Sequence, residues 1–218
     1  MSRSRDLPAH QHRLSAATWA VLADEGLTGL TVRAVAERAG CTTGLVMHTY
    51  SDKRALLRHA RELLHQRTAA RADEAEAEAM ADGATPEHRL RAVLAQAATL
   101  TDDKREEARV WIAFTAAAVA DAELAELHRA HNRAFVQRID RLLAEARPHL
   151  DDSARADAAA ALVALVEGLN ALAALDPTTY HAERQQQAID NALTSYLAAL
   201  AAPDLGRTTV MNKQRLSW

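Results

Sequence analysis

Eight consecutive positions hold the densest group of side chains able to bind rather than catalyse: Thr42, Thr43, Leu45, His48 and Thr49 all fall between residues 42 and 49. Hydroxyls can donate to or accept from a base edge or a phosphate, and a leucine can pack on a thymine methyl. Thr31 opens a helix, where outward backbone N–H groups suit a phosphate. A second group is spread through the later sequence: Trp111, Phe114 and Thr115, with Glu167 and Asn170 in an apolar run. Ligand pockets are apolar with a few polar groups, so these five are the candidates for lining one. Each aromatic also fits a plain core position. Glu167 and Asn170 could meet a ligand or pair across a seam between two copies, because a buried carboxylate without a partner is costly. A carboxylate beside aromatics would suit a cationic ligand.

Other residues carry less. His128 and His131 stand three apart on one helical face, a spacing open to a metal, but no cysteine cluster accompanies them and exposed histidines on a polar face are expected. Cys41 is expected to pack as a small residue, and the acidic run from Asp73 to Glu78 to be a solvated face. No nucleophile–base set, glycine-rich phosphate loop or carboxylate pair is visible, so the reading is not an enzyme, with no cofactor and no metal.

The elements that must position the first group read clearly. Val32, Val35, Ala36 and Ala39 make one face of a short helix that breaks at Gly40. Thr42 can cap a second helix of about two turns to Tyr50, and Asp52 starts a third, longer one. Two short helices joined by a tight glycine turn make a helix-turn-helix. In that motif the second helix enters the major groove of DNA. Val46 and Tyr50 are expected to face the core.

The chain has 218 residues, seven glycines, five prolines, eight aromatics and one cysteine, and alternating β-branched runs are absent. An all-α fold is expected, with no internal disulfide, in a reducing cytoplasm. The first twelve residues have no apolar signal core. Ala158 to Leu175 is an apolar stretch that Glu167 and Asn170 interrupt, so a buried bundle helix is expected and no membrane partner. Residues 1–60 hold eight Lys/Arg against five acids, whereas the whole chain carries −3. A basic head on an acidic body fits a polyanion-binding head.

Helices are expected from about His10 to Asp24 with a stop at Gly26, from Asp52 to Asp82, from Thr85-Pro86, from Asp102-Asp103, from Asp121 to Arg147, from Asp151 to Asp176, and from Tyr180 to Ala202. The domain reading is 1–55 for the head, 56–202 for the body and 203–218 for a flexible tail.

The run Thr31-Val32-Arg33, Val35 to Val46, His48, Tyr50, Asp52-Lys53 and Leu56-Leu57 resembles the DNA-binding domain of the TetR family of bacterial transcription regulators. Thr42 to Val46 with His48 and Tyr50, and Trp111 to Phe114 followed by Asp121 to Leu124, are most similar to its choline-responsive, betaine-pathway repressor branch. The resemblance implies about nine helices, an N-terminal helix-turn-helix domain and a C-terminal ligand-binding and dimerisation domain. In such a homodimer the last two helices of each chain form a four-helix bundle. It implies double-stranded operator DNA and a small-molecule effector as partners, and Lys53 as a phosphate contact. Where many members carry lysine and tyrosine, Thr43 and Met47 stand here; Arg33, with Arg3 and Arg5 on an N-terminal arm, could compensate. The function implied is a dimeric, ligand-responsive repressor on a palindromic operator. The alternatives are an activator or ligand-independent regulator of the same fold, or a helical module that has lost DNA specificity.

Overall fold

A computed structural model describes residues 6–199. Among them run nine helices and no strand: α1 Asp6–Gly29, α2 Val32–Ala39, α3 Thr43–Thr49, α4 Lys53–Ala81, α5 Pro86–Ala97, α6 Asp102–Ala120, α7 Ala122–Ala146, α8 Asp152–Leu175 and α9 Ala182–Ala199. The tail 203–218 and the arm arginines Arg3 and Arg5 lie outside the described residues. α1 is longer than its periodic core predicts, and Gly26 kinks it at φ 65° instead of separating it from a loop. The last helix starts at Ala182 rather than Tyr180.

Side-chain caps set several starts. Thr31 accepts from the Ala34 N–H at 3.1 Å, Thr42 from Leu45 at 3.3 Å and Asp52 from Ala55 at 2.8 Å. Each cap satisfies a donor that the helix leaves orphaned, worth about 1 kcal/mol. α2 ends at Gly40, whose left-handed backbone (φ 62°) lets Cys41 N–H reach the Ala36 carbonyl at 2.9 Å. A residue with a Cβ is strained there, so the turn needs its glycine.

Two cores result. The first joins Leu14, Val21 and Leu22 of α1, Val35 and Ala36 of α2 and Val46 of α3 to Leu56, Ala60 and Leu64 of α4 and to Val110 and Phe114 of α6. The second lies among α5, α7, α8 and α9, centred on Leu94, Ile139, Leu142, Leu162, Val166 and Ile189. α4 therefore belongs to both cores, adding Ala72 to the second, and α6 joins the head core to the body by packing on α7 and α8. α8 is long and apolar enough to cross a membrane by length and composition. Its Ala158, Ala159, Leu162, Val163, Val166, Leu169 and Ala173 are buried against the other helices, as a bundle helix requires.

The acidic run on α4 is not wholly a solvated face. Glu76 is buried and accepts from Arg141 at 2.7 and 2.9 Å and from Arg138 at 3.3 Å, and Asp73 pairs with Arg138 as well. Two acids three apart on α4 meet two arginines three apart on α7. The spacing of both pairs makes this match, which only the packing of the two helices reveals.

Candidate nucleic-acid interface and interior cavity

α3 shows a sharp division between its two sides. Val46 is fully buried and the ring of Tyr50 closes the head core. Thr42, Thr43, His48 and Thr49 are exposed together, Met47 is 54% exposed, and Leu45 is half-buried beside them. Thr31 and Arg33 at the start of α2 and Lys53 at the start of α4 are exposed too. Some of these hydroxyls already have local work. Thr31 and Thr42 accept cap bonds, and Thr49 donates to the Leu45 carbonyl at 3.3 Å. A cap uses one acceptor site and leaves the hydroxyl proton available to a phosphate or base. Cys41 is half-buried against the head core, and its packing there accounts for it.

Deeper in the molecule, a cavity of about 240 Å³ lies where α4, α6, α7 and α8 meet the α5–α6 turn. Its wall includes Leu64, His65, Thr68 and Ala72 of α4, Lys104, Glu107 and Trp111 of α6, His131, Phe135 and Arg138 of α7, and Glu167 and Asn170 of α8. Three of the five pocket candidates are thus brought together: Trp111, Glu167 and Asn170. Phe114 and Thr115 are not among the lining residues. Phe114 lies in the head core, and exposed Thr115 donates to the Trp111 carbonyl at 3.1 Å.

Asn170 is engaged within the fold. Its Nδ2 donates to the Ala97 carbonyl at 2.9 Å and its Oδ1 accepts from the Thr99 hydroxyl at 2.5 Å. Gln185 of α9 donates to the Thr99 carbonyl at 2.9 Å. These bonds pin the α5–α6 turn onto α8 and α9. Glu167 is different. Burial pushes its carboxyl up to about 7, against the opposing pull of the Trp111 indole and the Arg61 charge.

The histidines expected on a polar face turn inward. His131 stacks on His65 with ring centroids 3.8 Å apart, and its Nε2 meets Glu62 at 3.2 Å. Burial, helped by Arg61 and His65, lowers the His131 pKa to about 4. His128 lies tilted against Trp111 at 5.4 Å. The reason is that α7 packs across α4 and α6, so the face bearing both histidines is an interior one. Among the described residues no group of three or more His, Cys, Asp or Glu could hold a metal. Sequence reasoning also missed Arg61, whose guanidinium carbon sits 4.3 Å from the centroid of the Trp111 ring.

Residues 14–67 match the model for bacterial regulatory proteins of the tetR family, and residues 86–198 match that for the C-terminal part of BetI-type transcriptional repressors. This chain belongs to the TetR family of transcriptional regulators. The HTH-type transcriptional regulator BetI of Stenotrophomonas maltophilia is 30% identical over 182 residues, covering 83% of this chain and 89% of that one. BetI of Burkholderia lata is 33% identical over 162 residues, covering 70% and 76%. Among solved structures, a transcriptional regulator from Rhodococcus sp. superposes with a TM-score of 0.76 at 30% identity, covering 88% of this chain and 98% of that one. A regulator from Saccharomonospora viridis in complex with choline shares the fold at 17% identity, with a TM-score of 0.73 over 86% and 96% of the two chains. The TetR resemblance of the head and the BetI-like character of the body are both borne out, as is the all-α architecture. The chain is a TetR-family regulator, not an enzyme.

Proposed function

We propose that this regulator acts in the cytoplasm as a homodimeric repressor, reading a palindromic operator with α3 and releasing it when a small molecule fills the interior cavity. The observation that carries this reading is the division of α3: its apolar side is used up in the head core, and its outward side presents hydroxyls, His48 and Leu45 together. In a helix-turn-helix such a side enters the major groove. Thr42, Thr43, Leu45, His48 and Thr49 would then meet base edges and nearby phosphates, and Thr31, Arg33 and Lys53 the backbone.

Dimerisation is proposed through α8 and α9. On α8, Ala160, Ala164, Gly168, Leu172 and Leu175 are exposed at steps of three or four, and Leu175 is 84% exposed. Two such sides packed together would bury this apolar stripe, and a two-fold pair of heads would read two half-sites about a helical turn or more apart. The effector acts by favouring one head arrangement over another, to the extent that it binds one state more tightly.

A selection from random duplexes with the purified chain tests the reading. Recovery of an inverted-repeat motif, and loss of a promoter's repression when the chain is removed, are the expected outcomes. A selection that yields only salt-sensitive binding without a motif would sink it.

A further inference from the structure

α3 carries apolar side chains that the fold does not use. Met47 is 54% exposed, the one large hydrophobic side chain exposed in the head among the described residues. Leu45 is half-buried, yet it is not among the apolar side chains that pack on the head core. At about 100° per residue, Gly44 and His48 point away from the direction of buried Val46, and Leu45 and Met47 flank them on opposite sides. Gly44 itself has no structural need to be glycine. Its backbone is not left-handed, and a Cβ added to it would meet only the Thr42 hydroxyl, at 3.8 Å. A glycine inside so short a helix weakens it relative to alanine, so stability does not account for this residue. What a glycine offers on an exposed face is close approach of the backbone to a bound surface.

The polar residues of the same face discriminate poorly among base pairs. From Thr42 to Tyr50 there is no arginine, lysine, asparagine, glutamine, aspartate or glutamate. Those are the side chains whose contacts single out guanine, adenine and cytosine. A threonine hydroxyl both donates and accepts, so it suits any base pair, and an imidazole N–H of His48 can reach N7, which both purines present. The C5-methyl of thymine is the remaining base-specific feature of the major groove, and it is apolar. We propose that α3 identifies its operator through thymine methyls, with Leu45 and Met47 packing on methyl groups at either side of a close backbone approach at Gly44. Thr31, Arg33 and Lys53, exposed at the starts of α2 and α4, are left to the phosphates, which hold the helix in register without reading sequence.

This methyl readout rests on the proposed function, in which α3 enters the major groove, and exchange of thymine for uracil separates the two ideas. Uracil keeps every hydrogen-bonding group and phosphate of the duplex and lacks only the methyl. Each thymine of a duplex recovered by the selection above is exchanged in both half-sites at once, and affinity for the purified full chain is measured at one fixed salt concentration. A packed methyl is worth about fourfold, so exchange at a contacted position in both half-sites is expected to weaken binding at least about tenfold. Exchange in a duplex of unrelated sequence is expected to leave its affinity unchanged. Leu45→Ala and Met47→Ala should each become insensitive to one of the contacted positions, and Gly44→Ala should keep its thermal stability while losing operator affinity. The uracil effect in the unaltered chain does not depend on how any variant folds. A recovered motif whose affinity no uracil exchange changes would overturn the methyl readout and leave the proposed function standing. Undiminished uracil sensitivity in both folded side-chain variants, or full operator affinity in G44A, would do the same. A selection that returns no motif would overturn both.

Discussion

Glu167→Gln should flatten one limb of the pH dependence of stability. In the folded chain the carboxyl titrates at about 7 against an ordinary value of 4.5, chiefly because it is buried. Below pH 4.5 it is neutral whether the chain is folded or not, and its contribution to stability is fully present. As pH rises through 4.5 the unfolded chain loses the proton while the folded chain keeps it, so stability falls until the folded carboxyl also ionises near 7. At 1.36 kcal/mol per pKa unit the loss is about 3 kcal/mol. For a chain of this length that corresponds to roughly 6–12 °C in Tm. Glutamine keeps an oxygen for the Trp111 indole but has no proton to lose, so E167Q should gain this margin over the parent between pH 4.5 and 7.5. His131 slopes the other way, because its pKa of about 4 makes the folded chain refuse a proton that the unfolded chain accepts below 6.5. That slope is shared by both proteins and cancels in their difference. Calorimetric or denaturant unfolding of the pair across this range is the assay. Parallel profiles, within about 0.5 kcal/mol at every pH, would refute the assignment of a buried, proton-holding Glu167.

Two other substitutions test the head and its junction with the body. Lys53→Ala removes a charge exposed at the start of α4 in each protomer, and should weaken operator and nonspecific duplex alike while reducing the salt slope of the proposed dimer by about 2. Equal affinity for the parent and variant at two salt concentrations would remove Lys53 from the interface. Phe114→Ala empties the point where α6 enters the head core and should cost about 3–5 kcal/mol, read by denaturant unfolding. A loss below about 1 kcal/mol would mean that α6 is not a structural part of the head.

The helix-turn-helix was legible because its determinants act over three or four residues. Gly40 needs only its own backbone angles, and Thr42 and Asp52 cap helices that begin one residue later. The interior cavity was legible only in part, since four helices and a turn build it. Trp111 and Phe114 are one turn apart on α6 and both touch the head core, yet only the first also lines the cavity. No periodicity marks which side chain of a helix borders an open space and which is packed away. Arg61 did leave a trace. It stands between Leu57 and Leu64 at core spacing, as the polar member of an apolar stripe. The inward turn of His128 and His131 left none, because it depends on which neighbours α7 packs against.

α4 runs from Lys53 to Ala81 without a glycine or proline, with Lys53 at its exposed start in the head and His65 in the cavity wall. An uninterrupted helix of this kind is stiff, so it behaves as a lever and not as a cable. Twelve residues separate Lys53 from His65, an arm of about 18 Å, so a tilt of about 3° at the cavity moves the far end by about 1 Å. On the proposed function, occupancy of a small interior volume would be converted into an angle, and the angle into a displacement that grows with arm length. The gain of the device is set by where along α4 the ligand pushes, while its fidelity depends on the absence of any joint in between.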